Sequence, residues 1–100
     1  ILNRPSPGAI CWREKRFEAL VDGDWISGTI DRVVLDSDRA TIVDFKTSSL
    51  PADTNPQVAA EEHRPQLENY RAVVRRMTGL GEKDIRSFVF FTKTSLLVEV

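Results

Sequence analysis

Cysteine is almost missing from this 100-residue chain, Cys11 being the only one. That excludes a disulfide framework, a four-cysteine metal site and an iron–sulfur cluster, and a reducing, intracellular setting becomes the default expectation. Histidine is equally scarce, with His63 alone, and a lone imidazole near a helix start is more often a surface residue than a ligand, because metal sites need several converging partners. No apolar run approaches the length that spans a bilayer, and no signal-peptide pattern opens the chain. Positive charge is not in excess either. Fourteen basic residues stand against 15 acidic ones, for a formal net charge of −1, which argues against nucleic-acid binding by bulk charge. Arg71, Arg75 and Arg76 nevertheless form a local basic group.

What is present is ordinary globular composition, 41% hydrophobic and 29% charged, in a length that suits one small domain with one modest core. Two prolines and a glycine fall within the first eight residues, so residues 1–9 read as a linker remnant. A start at Ile1 suggests a piece of a longer polypeptide, with residues 10–100 as the folded core.

Ile10–Val21 predicts a strand whose alternation is interrupted by Arg13-Glu14-Lys15-Arg16. Asp22-Gly23 signals a tight hairpin turn. Trp25–Leu35 predicts a second strand, Asp36–Arg39 a polar turn, and Ala40–Thr47 a third strand. A loop of small residues over 48–55 leads to Asn55-Pro56, a cap and first-turn pair for a helix. Pro65 would kink that helix or open a second one. Gln66–Met77 is helical, with Leu67, Tyr70, Val73, Val74 and Met77 as an apolar stripe and Thr78-Gly79 as its end. Phe88–Phe91 and Leu96–Val100 complete the strands. The order β-β-β-α-β-β predicts an α/β or α+β fold, a mixed sheet of about five strands with one main helix packed on it.

Turn chemistry also suggests where the acids fall, in registers that a bulge or a longer loop would change. With Ser37-Asp38 as the two-residue loop between strands two and three, Asp31 lies opposite Asp44, and Lys46 shares their face. With Asp22-Gly23 as the loop of the first hairpin, Glu14 lies opposite Asp31. Like charges directly opposite one another destabilise a sheet, so three in a row ask for a cation between them. Carboxylate oxygens suit Mg²⁺, a bound Mg²⁺ polarises a phosphodiester and lowers the pKa of a water, and a neighbouring lysine stabilises developing charge. The competing reading is a solvated sheet face.

Gly28-Thr-Ile-Asp-Arg32, then Asp44-Phe-Lys-Thr47, then Gln66-Leu-Glu-Asn-Tyr70 resemble the signature of the PD-(D/E)XK nucleases of RecB type, across roughly Trp12 to Val100. The resemblance implies a restriction-endonuclease-like core. It implies Asp31 and Asp44 as metal ligands for Mg²⁺ or Mn²⁺, joined by the Phe45 backbone carbonyl, and Lys46 as the catalytic lysine. Glu14 matches the acidic position ahead of the glycine–aspartate stretch, with Glu18 as its rival, and Gln66 and Tyr70, four apart on one helix face, join the catalytic set. It further implies DNA as substrate, exonuclease action in repair or recombination, and a UvrD-like helicase motor of the AddA and RecB kind in the same polypeptide or complex. That would place the protein in the cytoplasm. His63 does not match the family histidine, which sits on a helix upstream of the first strand that this sequence lacks. Arg71 and Arg75 are candidates for phosphate contacts. Trp12 and Trp25 suit core or sheet-edge packing better than base stacking. An inactive nuclease fold serving as a DNA-binding or scaffolding module is the alternative, and a sheet domain for protein contacts is the third.

Overall fold

Residues 9–47, 50 and 53–100 are described by the structure, which is a computed structural model. The expected linker up to Gly8, and residues 48, 49, 51 and 52 of the expected loop, lie outside the described residues. Asp22 and Gly23 have φ of +50° and +85°, the two successive left-handed residues that a type I′ turn needs and that match the twist of its strands. They join β1 (Ile10–Val21) to β2 (Asp24–Leu35), paired from Val21↔Asp24 to Ile10↔Leu35. At the next turn the Asp36 N–H donates to the Arg39 carbonyl at 2.9 Å. β3 (Ala40–Lys46) then pairs with β2 from Leu35↔Ala40 to Arg32↔Val43. Both registers are the ones the turn residues dictate.

Asn55 caps α1 (Pro56–Glu61) through its side-chain oxygen, which accepts from the Gln57 N–H at 2.9 Å. Pro65 then opens a separate helix, α2 (Arg64–Thr78), from within its first turn, where its missing N–H costs nothing. Gly79, at φ +75°, ends α2 by donating its N–H to the Arg75 carbonyl at 2.8 Å. A 3₁₀ turn over Glu82–Asp84 leads into β4 (Ile85–Phe91), which starts earlier than the aromatic run Phe88–Phe91 suggests. Polar Arg86 and Ser87 hide that start in the sequence, but Ser87 and Ile85 both turn inward and are buried. β4 pairs in parallel with β3, and β5 (Leu96–Glu99) pairs antiparallel with β4. The fold is α+β: a mixed five-stranded sheet in the order β1-β2-β3-β4-β5 with two helices, as in a restriction-endonuclease-like core. The helices form the crossover that a parallel pair requires.

α2 lies on one face of the sheet and buries Leu67, Tyr70, Val73 and Val74 against Ile30, Val33, Ile42, Val89 and Phe91. Each such aliphatic side chain contributes about 1.5–3 kcal/mol on leaving water. Met77, expected in the same stripe, is instead 44% exposed. The last turn of α2 overruns the core there and borders a surface groove with Leu20 and Trp25. Trp25, expected to pack, is 77% exposed, whereas Trp12 packs against the core with the Lys15 ammonium 4.9 Å from its ring centroid. No helix among the described residues is long and apolar enough to cross a membrane.

One irregularity lies where β1 and β2 carry Glu14 and Asp31. Trp12 and Phe17 on β1, and Ile30 and Val33 on β2, all pack against the same core. In both pairs the two residues are separated by an odd number of positions, so strict alternation would put them on opposite faces. Each strand therefore reverses phase once, and the reversals bracket Glu14 and Asp31, the one facing pair absent from an otherwise continuous ladder. Glu14 sits there at φ +49°.

Candidate active site

Asp44 points to the helix side of β3, level with buried Val89 on β4, and is only 3% exposed. An apolar setting of this kind penalises the charged form. Burial pushes the Asp44 carboxyl above its ordinary value, the Lys46 ammonium opposes that, and the nearby Asp31 carboxylate pushes it up again. Lys46, two residues along the same face, brings Nζ to 2.9 Å from Asp44 Oδ2. The contact is one of charge more than of direction: Oδ2 is enclosed, and no described donor meets it at hydrogen-bonding angles.

Asp31 reaches this point from the place where the β1–β2 ladder breaks. Its Oδ2 accepts the Phe45 backbone N–H at 2.9 Å, so the carboxylate does at the end of the β2–β3 ladder what a strand carbonyl does elsewhere. The Phe45 side chain turns to the other face of the sheet, edge-on to Phe90 at 6.0 Å.

α2 contributes the next link. Gln66 Oε1 accepts from Lys46 Nζ at 3.1 Å, and Gln66 Nε2 donates to the Tyr70 hydroxyl oxygen at 2.9 Å. The Tyr70 hydroxyl in turn donates to the Thr29 carbonyl at 3.1 Å. Burial, and then the charges of Asp44 and Asp31, hold the Tyr70 phenol above its ordinary pKa, so it stays a neutral donor. An unbroken chain thus runs from the backbone of β2 through α2 to the lysine on β3. An ammonium has three donors; Gln66 accepts one and the Asp44 contact is one of charge, so a donor remains for a water or a phosphate oxygen.

The structure therefore brings together Asp31, Asp44, Lys46, Gln66 and Tyr70, with the Phe45 backbone alongside. It does not gather Glu14 with them: among the described residues no three acidic, histidine or cysteine side chains form a group able to hold a metal. The left-handed backbone at Glu14 and the broken ladder beside it are the physical reason. Glu18 pairs with Ser27 further along the hairpin and is exposed. Arg71 is tied into the fold, donating to the Glu82 carbonyl at 3.0 Å and to Ser87 Oγ at 3.4 Å, while Arg75 is exposed. His63 stands at the start of α2, its carbonyl accepting the Leu67 N–H at 3.1 Å. Sequence reasoning missed the Thr29 carbonyl, which as backbone leaves no sequence signal. It also missed Phe17, whose ring meets that of Tyr70 edge-on at 5.8 Å; an aromatic facing a glycine across the first hairpin was the available clue.

Two adjacent carboxylates, one with a buried oxygen lacking a directed donor, fit a hard divalent cation. Mg²⁺ keeps several of its waters and is commonly held by one or two carboxylates plus substrate phosphates, so a third acid is not required. Comparison with curated proteins finds no match. The sequence profile of the PD-(D/E)XK nuclease superfamily matches residues 2–99, and enzymes of that superfamily generally use divalent metals and act on DNA. With that match over nearly the whole chain, and an Asp-x-Lys strand lodged beside a second aspartate in the mixed sheet, the chain belongs to the PD-(D/E)XK nuclease superfamily.

Proposed function

We propose that this chain is the catalytic core of a Mg²⁺- or Mn²⁺-dependent deoxyribonuclease of RecB type, which hydrolyses phosphodiester bonds at DNA ends. The observation that carries the reading is the Lys46–Asp44 contact at 2.9 Å, beside Asp31 and anchored through Gln66. A buried aspartate with an ammonium and a second aspartate against it is the kind of charge arrangement that functional sites use. Asp31, Asp44 and the Phe45 carbonyl would hold the cation. When bound, the cation supplies Lewis-acid polarisation of the phosphodiester and a more acidic water. Lys46 directs a remaining donor to that water or to a non-bridging phosphate oxygen, where negative charge grows as the new P–O bond forms and the old one breaks. Gln66 and Tyr70 fix the direction of that donor. Glu14, on β1 where the ladder to Asp31 breaks, is the candidate to steer water at the rim, and comparing Glu14→Ala with Glu18→Ala in cleavage decides between the two acids. Arg71 and Arg75 are proposed phosphate contacts.

Beyond the chemistry, we place the core in a cytoplasmic helicase–nuclease that processes DNA ends in repair or recombination. The RecB-like pattern of Gly28–Asp31, Asp44–Lys46 and Gln66–Tyr70 supports that setting. The deciding experiment is single-turnover cleavage of linear single- and double-stranded DNA with Mg²⁺ or Mn²⁺, by the longest native polypeptide and by its Asp31→Asn variant. Metal-dependent cleavage that Asp31→Asn loses supports the reading. A folded wild type that binds DNA and never cuts it moves the assignment to an inactive DNA-binding module.

A further inference from the structure

Gly28 is surrounded by strand, and its backbone is not in the left-handed region, where only Gly23 and Gly79 are found among the described glycines. Conformation therefore does not demand glycine there. Space does: a Cβ at position 28 would lie 3.2 Å from Phe17 Cζ and 3.4 Å from Cε1. Phe17 is the cross-strand partner of Gly28, and the edge of its ring occupies the space a side chain at position 28 would take. In that position it is 9% exposed although β1 is an edge strand, and its ring meets Tyr70 edge-on at 5.8 Å with an interplanar angle of 82°.

Tyr70 is the hinge of the chain that ends at Lys46, and that chain runs in one direction only. An ammonium can donate but not accept, so the Gln66 oxygen must face Lys46 and its amino group must face Tyr70. The Tyr70 oxygen then accepts, and its own proton goes to the Thr29 carbonyl, one residue beyond Gly28. Every member has one allowed role, so moving the Tyr70 ring displaces the Gln66 amide and with it the ammonium. Besides the Gln66 amide itself, the Thr29 carbonyl and the Phe17 ring hold that ring where it leaves the core.

On the nuclease reading above, we infer that Phe17, seated over Gly28, is a positioning residue for Lys46, acting through Tyr70 and Gln66. Gly28 is glycine so that this ring can sit there.

The test uses the full chain with Phe17→Leu, Gly28→Ala, Tyr70→Phe and the Phe17→Leu/Tyr70→Phe pair. Phe17→Leu removes the ring edge, and Gly28→Ala pushes the ring by a few tenths of an ångström. Three measurements are made on each: single-turnover cleavage of a linear DNA oligonucleotide at saturating Mg²⁺, DNA affinity, and the proton–nitrogen NMR signal of the Lys46 ammonium, assigned by its loss in Lys46→Arg. Misplacing a reacting group by about 1 Å costs on the order of a hundredfold in rate. Phe17→Leu and Gly28→Ala are therefore each expected to lower the rate about tenfold in folded protein, with DNA affinity unchanged and the ammonium signal moved. The double variant is expected to be no slower than Tyr70→Phe alone, because residues acting through one chain are not additive. A residue that only fills the core would lower stability and leave both rate and signal alone. A folded Phe17→Leu or Gly28→Ala protein with full rate and an unmoved ammonium signal overturns the inference. If Phe17→Leu does not fold, Gly28→Ala carries the same readouts. If the wild type cuts no DNA, the nuclease reading falls, and the ammonium signal alone still decides the positioning role.

Discussion

Replacing Lys46 by alanine separates catalysis from structure more cleanly than any other single change. The Lys46 side chain is 24% exposed and faces an Asp44 side chain that is 5% exposed. Removing it leaves a buried carboxylate beside Asp31 without the ammonium that faces it. Breaking a fully buried pair costs about 3–5 kcal/mol, but water reaches the space that Lys46 vacates, so a loss of about 1–3 kcal/mol is expected. The same loss makes the aspartate pair more negative and a better cation site. Mg²⁺ at a hundred times its Kd adds about 2.7 kcal/mol to a protein that binds it only when folded. Mg²⁺ should therefore restore much of the lost stability, and raise the urea midpoint of Lys46→Ala more than that of wild type. It should not restore cleavage. Loss of one preorganised donor to developing charge costs about 10²–10³ in rate, and single-turnover cleavage under saturating Mg²⁺ reads that directly. A folded, Mg²⁺-stabilised Lys46→Ala protein that cuts within twofold of wild type would refute the catalytic role of the lysine. A midpoint that Mg²⁺ moves in neither protein would refute the cation site.

Three further outcomes follow from the same geometry. Asp44→Asn removes a buried charge and also the partner of Lys46, so its stability without metal should change by no more than about 1 kcal/mol, while a thermal-shift titration with Mg²⁺ should go flat; a shift as large as that of wild type would move the metal elsewhere. Leu67→Ala, at a position 1% exposed at the centre of the helix–sheet contact, should cost about 2–5 kcal/mol in urea unfolding, and a loss below 1 kcal/mol would contradict the packing of α2. Arg75→Ala should weaken DNA binding uniformly across sequences and reduce the slope of log K against log salt by about one, with unchanged stability; Arg71→Ala should in addition lower the melting temperature, because its guanidinium holds the Glu82 carbonyl and Ser87. An unchanged salt slope in Arg75→Ala would remove that residue from the DNA path.

The sequence by itself determined what short-range chemistry controls. Asp22-Gly23 can take up two successive left-handed conformations, and this alone sets the pairing of β1 with β2. The short loop at Ser37-Asp38, which needs no left-handed residue, sets that of β2 with β3, so the approach of Asp31 to Asp44 could be read before any fold was known. The stripe Leu67, Tyr70, Val73, Val74 and the stop at Gly79 belong to this class too. Pro65 was ambiguous locally, because a proline inside a helix and a proline opening one look the same in sequence. Only packing of two separate helices across the crossover settled it. Tertiary structure also decided the phase reversal at Glu14 and Asp31. Alternation along each strand predicts one row of three acids, but the core claims Trp12 and Phe17 on one strand and Ile30 and Val33 on the other, and the backbone yields at the point between them. The fate of the aromatics was decided in the same way, Trp12 packed and Trp25 at 77% exposure, since burial depends on where the helix ends rather than on residue type. Last, the chain from Thr29 through Tyr70 and Gln66 to Lys46 joins three elements distant in sequence. Hydrogen bonds of that kind have no local signature, because their geometry exists only once the helix has docked on the sheet.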